Sequence, residues 1–315
     1  MEFRNVGNSG LRVSVAGLGC NQFGSRLDVG ETRRVVHRAL DLGVTLLDTA
    51  DAYGSRGGSE AQLGEILGTA RRDVVLATKF GWEMDDAGAL RGGARGYVMR
   101  AVEDSLRRLR TDWIDLYQFH KPDQRTPIEE TLRALDDLVT QGKVRYVGCS
   151  NFAAWQLADA DWTSRAGGLA RFVSAQNEYS ALVRDAERDL GPALAHFGIG
   201  LLPYYPLAGG LLSGKYRRDA QLPAGSRLAQ TKRSADRFLT ERNWRVVDEL
   251  VQVAESCGRS LLDVAVGWVA SRPFVASVIA GATSPEQVEA NVAACTSTLD
   301  AQTLARVDRA TSPPA

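Results

Sequence analysis

LLDTADAYG, residues 46–54, is a short apolar strand that ends in an acid and is followed on its loop by a phenol. Two later apolar strands also end at a polar residue. The strand VVLATK ends at Lys79, and the strand IDLYQFH ends at His120. In a parallel β/α barrel every strand directs its carboxyl end to one face. We therefore expect Asp48, Tyr53, Lys79 and His120 to converge at that face, where they would form a site for proton transfer.

Strand-like and helix-like patterns alternate along the whole chain, with a repeat of roughly 30 residues per unit. The predicted strands cover residues 13–19, 44–48, 74–79, 114–120, 144–150, 172–177, 199–204 and 275–280. The predicted helices between and after them cover residues 32–42, 59–67, 97–110, 127–140, 153–166, 184–196, 243–257 and 260–271. Residues 1–15 read as a β-hairpin around the turn cluster Gly7-Asn8-Ser9-Gly10.

This pattern predicts an eight-stranded parallel β/α (TIM) barrel with an N-terminal β-hairpin plug, as a single domain over residues 1–315. The alternative is a doubly wound open sheet, which would carry a glycine-rich phosphate loop after its first strand. GLGCNQFG, residues 17–24, has its third glycine at the wrong spacing for that loop. Two long connections, residues 81–96 and 216–241, follow strand ends at the predicted mouth of the barrel, where functional loops belong.

Composition is that of an ordinary globular protein and excludes several function classes. The 315 residues are 44% hydrophobic and 24% charged, and the formal net charge is zero, so no overall field favours nucleic acid or an anionic membrane. No apolar run approaches the length of a membrane span, and the N-terminus lacks the pattern of a signal peptide. With four scattered cysteines and three histidines, we expect free thiols, no metal site and a cytoplasmic location.

The four candidate side chains make chemical sense as a unit, although each alone has an ordinary structural interpretation. A nearby ammonium favours a phenolate, so we expect Lys79 to lower the pKa of Tyr53 below its usual value of about 10. Asp48 would supply the counter-ion that a buried ammonium needs. His120 could then orient or polarise a carbonyl oxygen beside the phenol.

Several motifs together resemble the aldo-keto reductase superfamily, in particular its bacterial branch that also resembles potassium-channel β subunits. They are LLDTADAYG, ATKFG, LYQFHKPD, VGCSNF, AQNEYS, YYPLAGGLLSGKY and, at residues 281–291, GATSPEQVEAN. The resemblance runs nearly end to end and implies a barrel that binds a nicotinamide dinucleotide across its mouth. It also implies that Tyr53 is the proton donor in reduction, that Lys79 and Asp48 tune it, and that His120 orients the carbonyl.

The resemblance further implies a cofactor site. Its candidate residues are Ser150, Asn151 and Gln176 for the nicotinamide carboxamide, Tyr204 for stacking on the ring, Leu207 and Gly209 for the pyrophosphate, and Lys215 and Arg227 for the phosphate at the adenosine end. Tyr205 stands where the family commonly has serine. Thr283, Gln287 and Asn291 are spaced by four beside a predicted helix start, where Gln287 also has the position of a capping residue. We expect NADPH to be the preferred cofactor, with NADH as the second.

The expected substrate is a small aldehyde or ketone, or the matching alcohol or sugar, and Phe23 and Trp82 are candidates for its pocket. Trp113 begins a strand, so we expect it to pack at the far end of the barrel. One alternative is a nucleotide-sensing binding module without significant turnover. Another is a barrel aldolase with Lys79 as Schiff-base lysine, which is disfavoured because an adjacent acid would keep the amine protonated. The sequence carries no signal for an oligomeric state.

Overall fold

Ten strands and twelve α-helices follow one another along residues 1–312, the part of the chain that this computed structural model describes. The strands are β1 (Phe3–Asn5), β2 (Arg12–Ser14), β3 (Ala16–Gly19), β4 (Leu46–Asp48), β5 (Val75–Phe80), β6 (Ile114–Phe119), β7 (Val144–Ser150), β8 (Phe172–Gln176), β9 (Gly200–Leu201) and β10 (Val278–Gly281). The helices are α1 (Val29–Asp41), α2 (Tyr53–Ile66), α3 (Arg95–Leu109), α4 (Ile128–Thr140), α5 (Ala154–Gly167), α6 (Leu190–Phe197), α7 (Arg227–Gln230), α8 (Lys232–Phe238), α9 (Glu241–Ser256), α10 (Leu261–Ala270), α11 (Pro285–Thr296) and α12 (Ala301–Thr311).

Strands β3 to β10 form one parallel sheet in which sequence neighbours pair from β3 to β9 and β10 returns to pair with β3. Hydrogen bonds beside β9 close the ring. The backbone N of Leu201 donates to the carbonyl of Phe274 (2.7 Å), and the N of Ala276 donates to the carbonyl of Leu201 (2.9 Å). The predicted β/α barrel is therefore confirmed.

The N-terminal hairpin closes the amino-terminal end of the barrel, as predicted. β1 and β2 pair antiparallel, with Arg4 opposite Val13. Val6, Leu11 and Val13 are buried in a separate apolar cluster with inward-facing barrel residues such as Leu46. This inner cluster fills the barrel below its mouth and leaves the opposite end for polar side chains.

Strand alternation decides which side chains reach the mouth. Leu46 belongs to the inner cluster, whereas Leu47 belongs to the larger core between the strands and the helices. Because successive strand residues point to opposite faces, Asp48 lies on the inner face above Leu46, and Lys79 lies above Ala77 in the same way. The sheet thus carries an apolar inner layer with a polar layer above it.

Helix boundaries differ from the predictions at several places, among them α6, which begins at Leu190 rather than at residue 184. Helix α2 begins at Tyr53, but residues 54–57 have positive φ angles, so its regular part begins near the predicted residue 59. The connection at residues 216–241 contains the short helices α7 and α8, whose polar, basic sequence hides their periodicity. Helix α12 was not predicted and packs against α9.

The contact between α2 and α3 depends on Gly64. A Cβ atom built on Gly64 would collide with the carbonyl oxygen of Arg108, whereas one built on Gly96 in the first turn of α3 would meet no atom within 4 Å. We expect Gly64→Ala to lower the free energy of unfolding by about 1–3 kcal/mol through overpacking. Gly96→Ala should raise it by about 0.5–1 kcal/mol, because alanine is the better helix former. Urea denaturation measures both, and equal effects of the two substitutions would contradict the packing argument.

Candidate active site

Lys79 is the centre of the polar layer at the mouth. Its side chain has no exposed surface. The ammonium donates to Asp48 Oδ2 (2.6 Å), to the carbonyl of Thr49 (2.8 Å) and to the hydroxyl of Tyr53 (3.4 Å). The acid and the phenol predicted from one segment and the ammonium predicted from another thus form one hydrogen-bonded group.

His120 stands beside this group. Its ring lies 5.7 Å from that of Tyr53, centroid to centroid, at an interplanar angle of 81°. Its backbone N donates to the carbonyl of Phe80 (2.8 Å), and its own carbonyl accepts from Asn151 Nδ2 (2.9 Å). The structure therefore brings together all four residues that the sequence placed at the mouth.

A left-handed turn directly follows Tyr53. The φ angles of Gly54, Ser55, Arg56 and Gly57 are 67°, 60°, 70° and 115°. Such angles cost residues other than glycine roughly 1–2 kcal/mol each, and strained backbone of this kind clusters at functional sites. The turn reverses the chain immediately behind the phenol and so contributes to its position.

The pKa of Tyr53 is the opposite of what the sequence led us to expect. Burial raises the pKa of the phenol above its usual value, and this outweighs the opposing effect of the Lys79 ammonium. Burial also lowers the pKa of Lys79, but the carboxylate of Asp48 and the phenol reverse the sign, so that the pKa of Lys79 is raised. The site therefore holds a protonated phenol beside a protonated amine at neutral pH.

His120 is neutral at physiological pH. Burial, assisted by the ammonium groups of Lys79 and Lys121, lowers the pKa of its imidazole to about 3. A neutral imidazole carries one N–H donor and one acceptor nitrogen. It can therefore donate a hydrogen bond to a carbonyl oxygen without adding a charge.

Gln118 is part of the site and was missed in the sequence. This buried side chain on β6 donates to Asp48 Oδ1 (3.1 Å), and Gln176 donates to the same oxygen (2.8 Å). With Lys79 on Oδ2, both oxygens of Asp48 are held. The available signal was a polar residue within the apolar strand, two positions before His120 and hence on the same face.

A second buried acid, Asp51, lies on the same connection as Tyr53, two residues before it. Its Oδ2 accepts from the hydroxyl of Tyr97 (3.1 Å), and its Oδ1 has no partner among the described residues. Burial and the nearby carboxylate of Glu60 raise the pKa of Asp51 to about 7, although Tyr97 and Arg108 act against the shift. The partners come from α2 and α3, so no local sequence pattern pointed to this group.

The residues predicted to hold the nicotinamide carboxamide lie next to the four central side chains. The Ser150 hydroxyl donates to the carbonyl of Gln176 (2.8 Å) and accepts from Asn151 Nδ2 (3.1 Å). The Tyr204 hydroxyl donates to Asn151 Oδ1 (2.8 Å). The Oε1 atom of Gln176 accepts no hydrogen bond from residues 1–312, which leaves an acceptor free at this position.

The predicted pyrophosphate and adenosine-phosphate residues form a neighbouring group. The carbonyl of Leu207 accepts from the N of Gly210 (2.8 Å), in a turn where Gly209 and Gly210 both have positive φ. Lys215 is exposed, and a Cβ atom on Gly210 would lie 3.2 Å from its ammonium. The guanidinium of Arg227 lies 5.0 Å from the ring of Tyr205, the residue that stands in place of a serine.

The third predicted group lies at the start of α11. Ser284 caps the helix by accepting from the N of Gln287 (3.4 Å). Gln287 in turn accepts from the backbone N of Thr283 (2.9 Å), one residue earlier than in a regular capping box. Asn291 donates to the carbonyl of Gly281 (3.4 Å). The three side chains therefore lie on one side of the helix start, as their spacing indicated.

The two substrate-pocket candidates differ in position. Trp82 is 44% exposed and its ring lies 5.3 Å from that of His120, at the mouth. Phe23 has no exposed surface and belongs to the core, so its ring is not available as a pocket wall. Trp113 packs between the guanidinium groups of Arg71 and Arg145, at the start of β6 as expected.

A cavity of about 580 Å³ lies at the hairpin end of the barrel, lined by residues that include Phe3, Arg12 and Tyr146. None of the four central side chains lines it.

Within residues 1–312 no cluster of three or more His, Cys, Asp or Glu is arranged to hold a metal ion. In the same range, no helix combines the length and the apolar character needed to span a membrane.

The raised pKa of Asp51 predicts a pH-dependent cost to stability. Between pH 4 and pH 7 this carboxyl is ionised in the unfolded chain but stays protonated in the folded protein. The free energy of unfolding therefore falls as the pH rises through this range, and the loss is complete above pH 7. Each unit of pKa difference is worth about 1.4 kcal/mol. When the pH is raised from 5 to 8, we expect the free energy of unfolding of Asp51→Asn to increase by about 2–3 kcal/mol relative to that of the wild type.

Urea denaturation at the two pH values measures this gain. Asp112→Asn makes the same exchange at an exposed carboxyl and should show no such change. A difference between Asp51→Asn and the wild type that is the same at both pH values would contradict the assignment.

Comparison with known proteins agrees with this arrangement. The model of the "Aldo/keto reductase family" matches residues 16–312. A probable voltage-gated potassium channel subunit beta of Oryza sativa is 36% identical over 301 residues, which is 93% of this chain and 91% of the relative. The uncharacterized oxidoreductase YrpG of Bacillus subtilis is 36% identical over 314 residues (96% and 94%), and the L-glyceraldehyde 3-phosphate reductase of Escherichia coli is 32% identical over 321 residues (98% and 92%). The chain belongs to the aldo/keto reductase family.

Proposed function

We propose that this protein is an NADP(H)-dependent oxidoreductase that reduces aldehydes or ketones, or oxidises the matching alcohols, with Tyr53 as proton donor and acceptor. The observation that carries the proposal is the buried ammonium of Lys79, which contacts both Asp48 and the hydroxyl of Tyr53. The family and the oxidoreductase relatives support the reaction class.

The side chains support a division of labour in reduction. NADPH, when bound at the mouth, would supply the hydride for the carbonyl carbon. Tyr53 gives its hydroxyl proton to the carbonyl oxygen, and the resulting phenolate is stabilised by the Lys79 ammonium at 3.4 Å. His120, neutral because its pKa is about 3, donates a hydrogen bond to the same oxygen and orients the carbonyl.

The raised pKa makes Tyr53 a weaker acid than a free phenol, so its proposed role as proton donor depends on stabilisation of the phenolate that forms. At neutral pH the phenol already carries the proton that reduction requires when the substrate binds. The ammonium of Lys79 opposes the effect of burial, so it acts most strongly on the phenolate that forms during transfer. Asp48, held on both oxygens by Lys79, Gln118 and Gln176, keeps that ammonium in place.

The arrangement disfavours a barrel aldolase. A Schiff-base lysine needs a free amine, whereas the pKa of Lys79 is raised by Asp48 and Tyr53 against the effect of burial. The binding module without turnover differs from an enzyme only in activity, so the turnover assay below separates the two. The Escherichia coli relative is named for the reduction of an aldehyde, which favours the enzyme.

The residues of the mouth fit a nicotinamide dinucleotide. Asn151 and Gln176 present amide groups beside the four central side chains, and Tyr204 presents a half-buried ring. Lys215 and Arg227 lie near the glycine turn and take part in no ion pair within residues 1–312, so they are available to a phosphate. We propose NADPH as the preferred cofactor, NADH as the second, and the reducing cytoplasm as the location, where four free cysteines are stable.

Replacement of the phenol tests the proton donor. Tyr53→Phe keeps the ring and removes the hydroxyl, so we expect NADPH binding to survive while aldehyde reduction falls about 10²–10⁴-fold. Tyr146→Phe makes the same change at the hairpin end and should keep activity. Single-turnover NADPH absorbance is the measurement, because it isolates the chemical step. Wild-type rates in Tyr53→Phe would rule out Tyr53 as the acid.

The choice of cofactor is tested at the basic loop. NADH lacks the 2′-phosphate, so it would leave the donors of Lys215 and Arg227 without an anion, and we expect NADPH to bind more tightly by about 1.5–3 kcal/mol. Arg227→Ala should remove most of that difference, whereas Arg309→Ala, an exposed arginine on α12, should not. Tryptophan fluorescence quenching measures both dissociation constants. Equal affinities of the wild type for the two cofactors would contradict the assignment.

A further inference from the structure

A lysine lies at the mouth beside the proposed catalytic histidine. Lys121 directly follows His120, whose backbone N and carbonyl are both hydrogen-bonded. The ammonium of Lys121 lies 4.2 Å from the ring centroid of Trp82, and that ring lies 5.3 Å from the imidazole of His120. A cation over an aromatic face is held by the ring quadrupole. The ring of Trp82 thus contacts both the ammonium of Lys121 and the imidazole of His120.

The acids that lie close to Trp82 and Lys121 in the sequence have other partners. Their partners are Arg91 for Glu83, the backbone N of Leu90 for Asp85, Arg56 for Asp86, and two backbone N–H groups with the Thr126 hydroxyl for Asp123. Among residues 1–312 the lysines that form ion pairs are Lys79 and Lys143. The positive charge of Lys121 is therefore not neutralised by the protein at this place.

We propose that Lys121, held on the face of Trp82, forms an anion-binding subsite of the substrate pocket, and that the preferred substrates are aldehydes carrying a phosphate or a carboxylate. This inference rests on the proposed reductase function and names its substrate class. The half-exposed ring of Trp82 lies 5.3 Å from that of His120, so an aldehyde whose oxygen is bound by Tyr53 and His120 would have its chain beside this ring. An anionic group a few bonds from the carbonyl then meets the ammonium.

Two effects make this subsite selective for charge. The ammonium has three donors and no acceptor, so an anion gains a charge-assisted hydrogen bond that a neutral analogue of equal size does not. The ring of Trp82 covers one side of the ammonium and lowers its exposure to water, which strengthens the attraction. The ring also supplies an apolar wall for the carbon chain between the two polar ends. Neutral aldehydes should still react, but less efficiently.

Matched substrate pairs test the subsite. We would measure kcat/KM for 4-carboxybenzaldehyde against the isosteric 4-nitrobenzaldehyde, and for glyceraldehyde 3-phosphate against glyceraldehyde, with saturating NADPH. Electronic differences within a pair cancel when the anionic-to-neutral ratio is compared between proteins. We expect Lys121→Met to lower that ratio about 10-fold and Lys121→Arg to keep most of it. High ionic strength should lower the ratio in the wild type more than in Lys121→Met, because salt screens a partly exposed charge.

The control is Lys143→Met, which removes the same charge beside β7, at the amino-terminal end of the barrel. A ratio that stays unchanged in Lys121→Met, or that falls equally in Lys143→Met, overturns the proposal. A loss in one pair alone supports the subsite and identifies the anion as phosphate or carboxylate. If the wild type turns over none of the four aldehydes, the reductase function fails. Calorimetric titration then decides the subsite, since weaker binding of the anionic compounds to Lys121→Met supports it and equal binding overturns it.

Discussion

The buried ion pair of Lys79 and Asp48 is the interaction on which the site depends. Burying an ammonium without a partner costs several kcal/mol, so the pair is stable only because every polar atom in it is bound. Asp48 accepts three side-chain hydrogen bonds, and Lys79 donates to a carboxylate, a carbonyl and a phenol. These partners come from β4, β5, β6 and β8 and from the loop after β4. Half of the barrel is therefore arranged around one charge.

Burial and charge compete at this pair, and the structure decides which effect is larger. For Lys79, the attraction of Asp48 outweighs burial. For Tyr53, burial outweighs the ammonium, although the two groups are hydrogen-bonded. The difference follows from the shared ammonium: it is neutralised first by Asp48 at 2.6 Å, which leaves less of its field for the phenol at 3.4 Å. A qualitative list of neighbours would have missed this result.

The barrel and the four central side chains could be predicted because both depend on local periodicity. A polar residue at the end of an apolar strand points the same way in every parallel unit, so Lys79 and His120 needed no long-range information. Asp51 could not be found in this way, since its pKa depends on Glu60 and Tyr97 from two other elements. The left-handed turn was equally hidden, because Ser55 and Arg56 are not residues that mark positive φ.

Closure of the sheet through β10 has a consequence for synthesis of the chain. Strand β3 has one edge bonded to β4, but its other edge is covered only by Val278–Gly281, which follow far later in the chain. At about 5–20 residues per second, a ribosome needs on the order of half a minute to deliver that partner. Until then β3 is an unpaired edge, which is a template for aggregation. A truncated product that lacks β10 therefore cannot form a closed barrel.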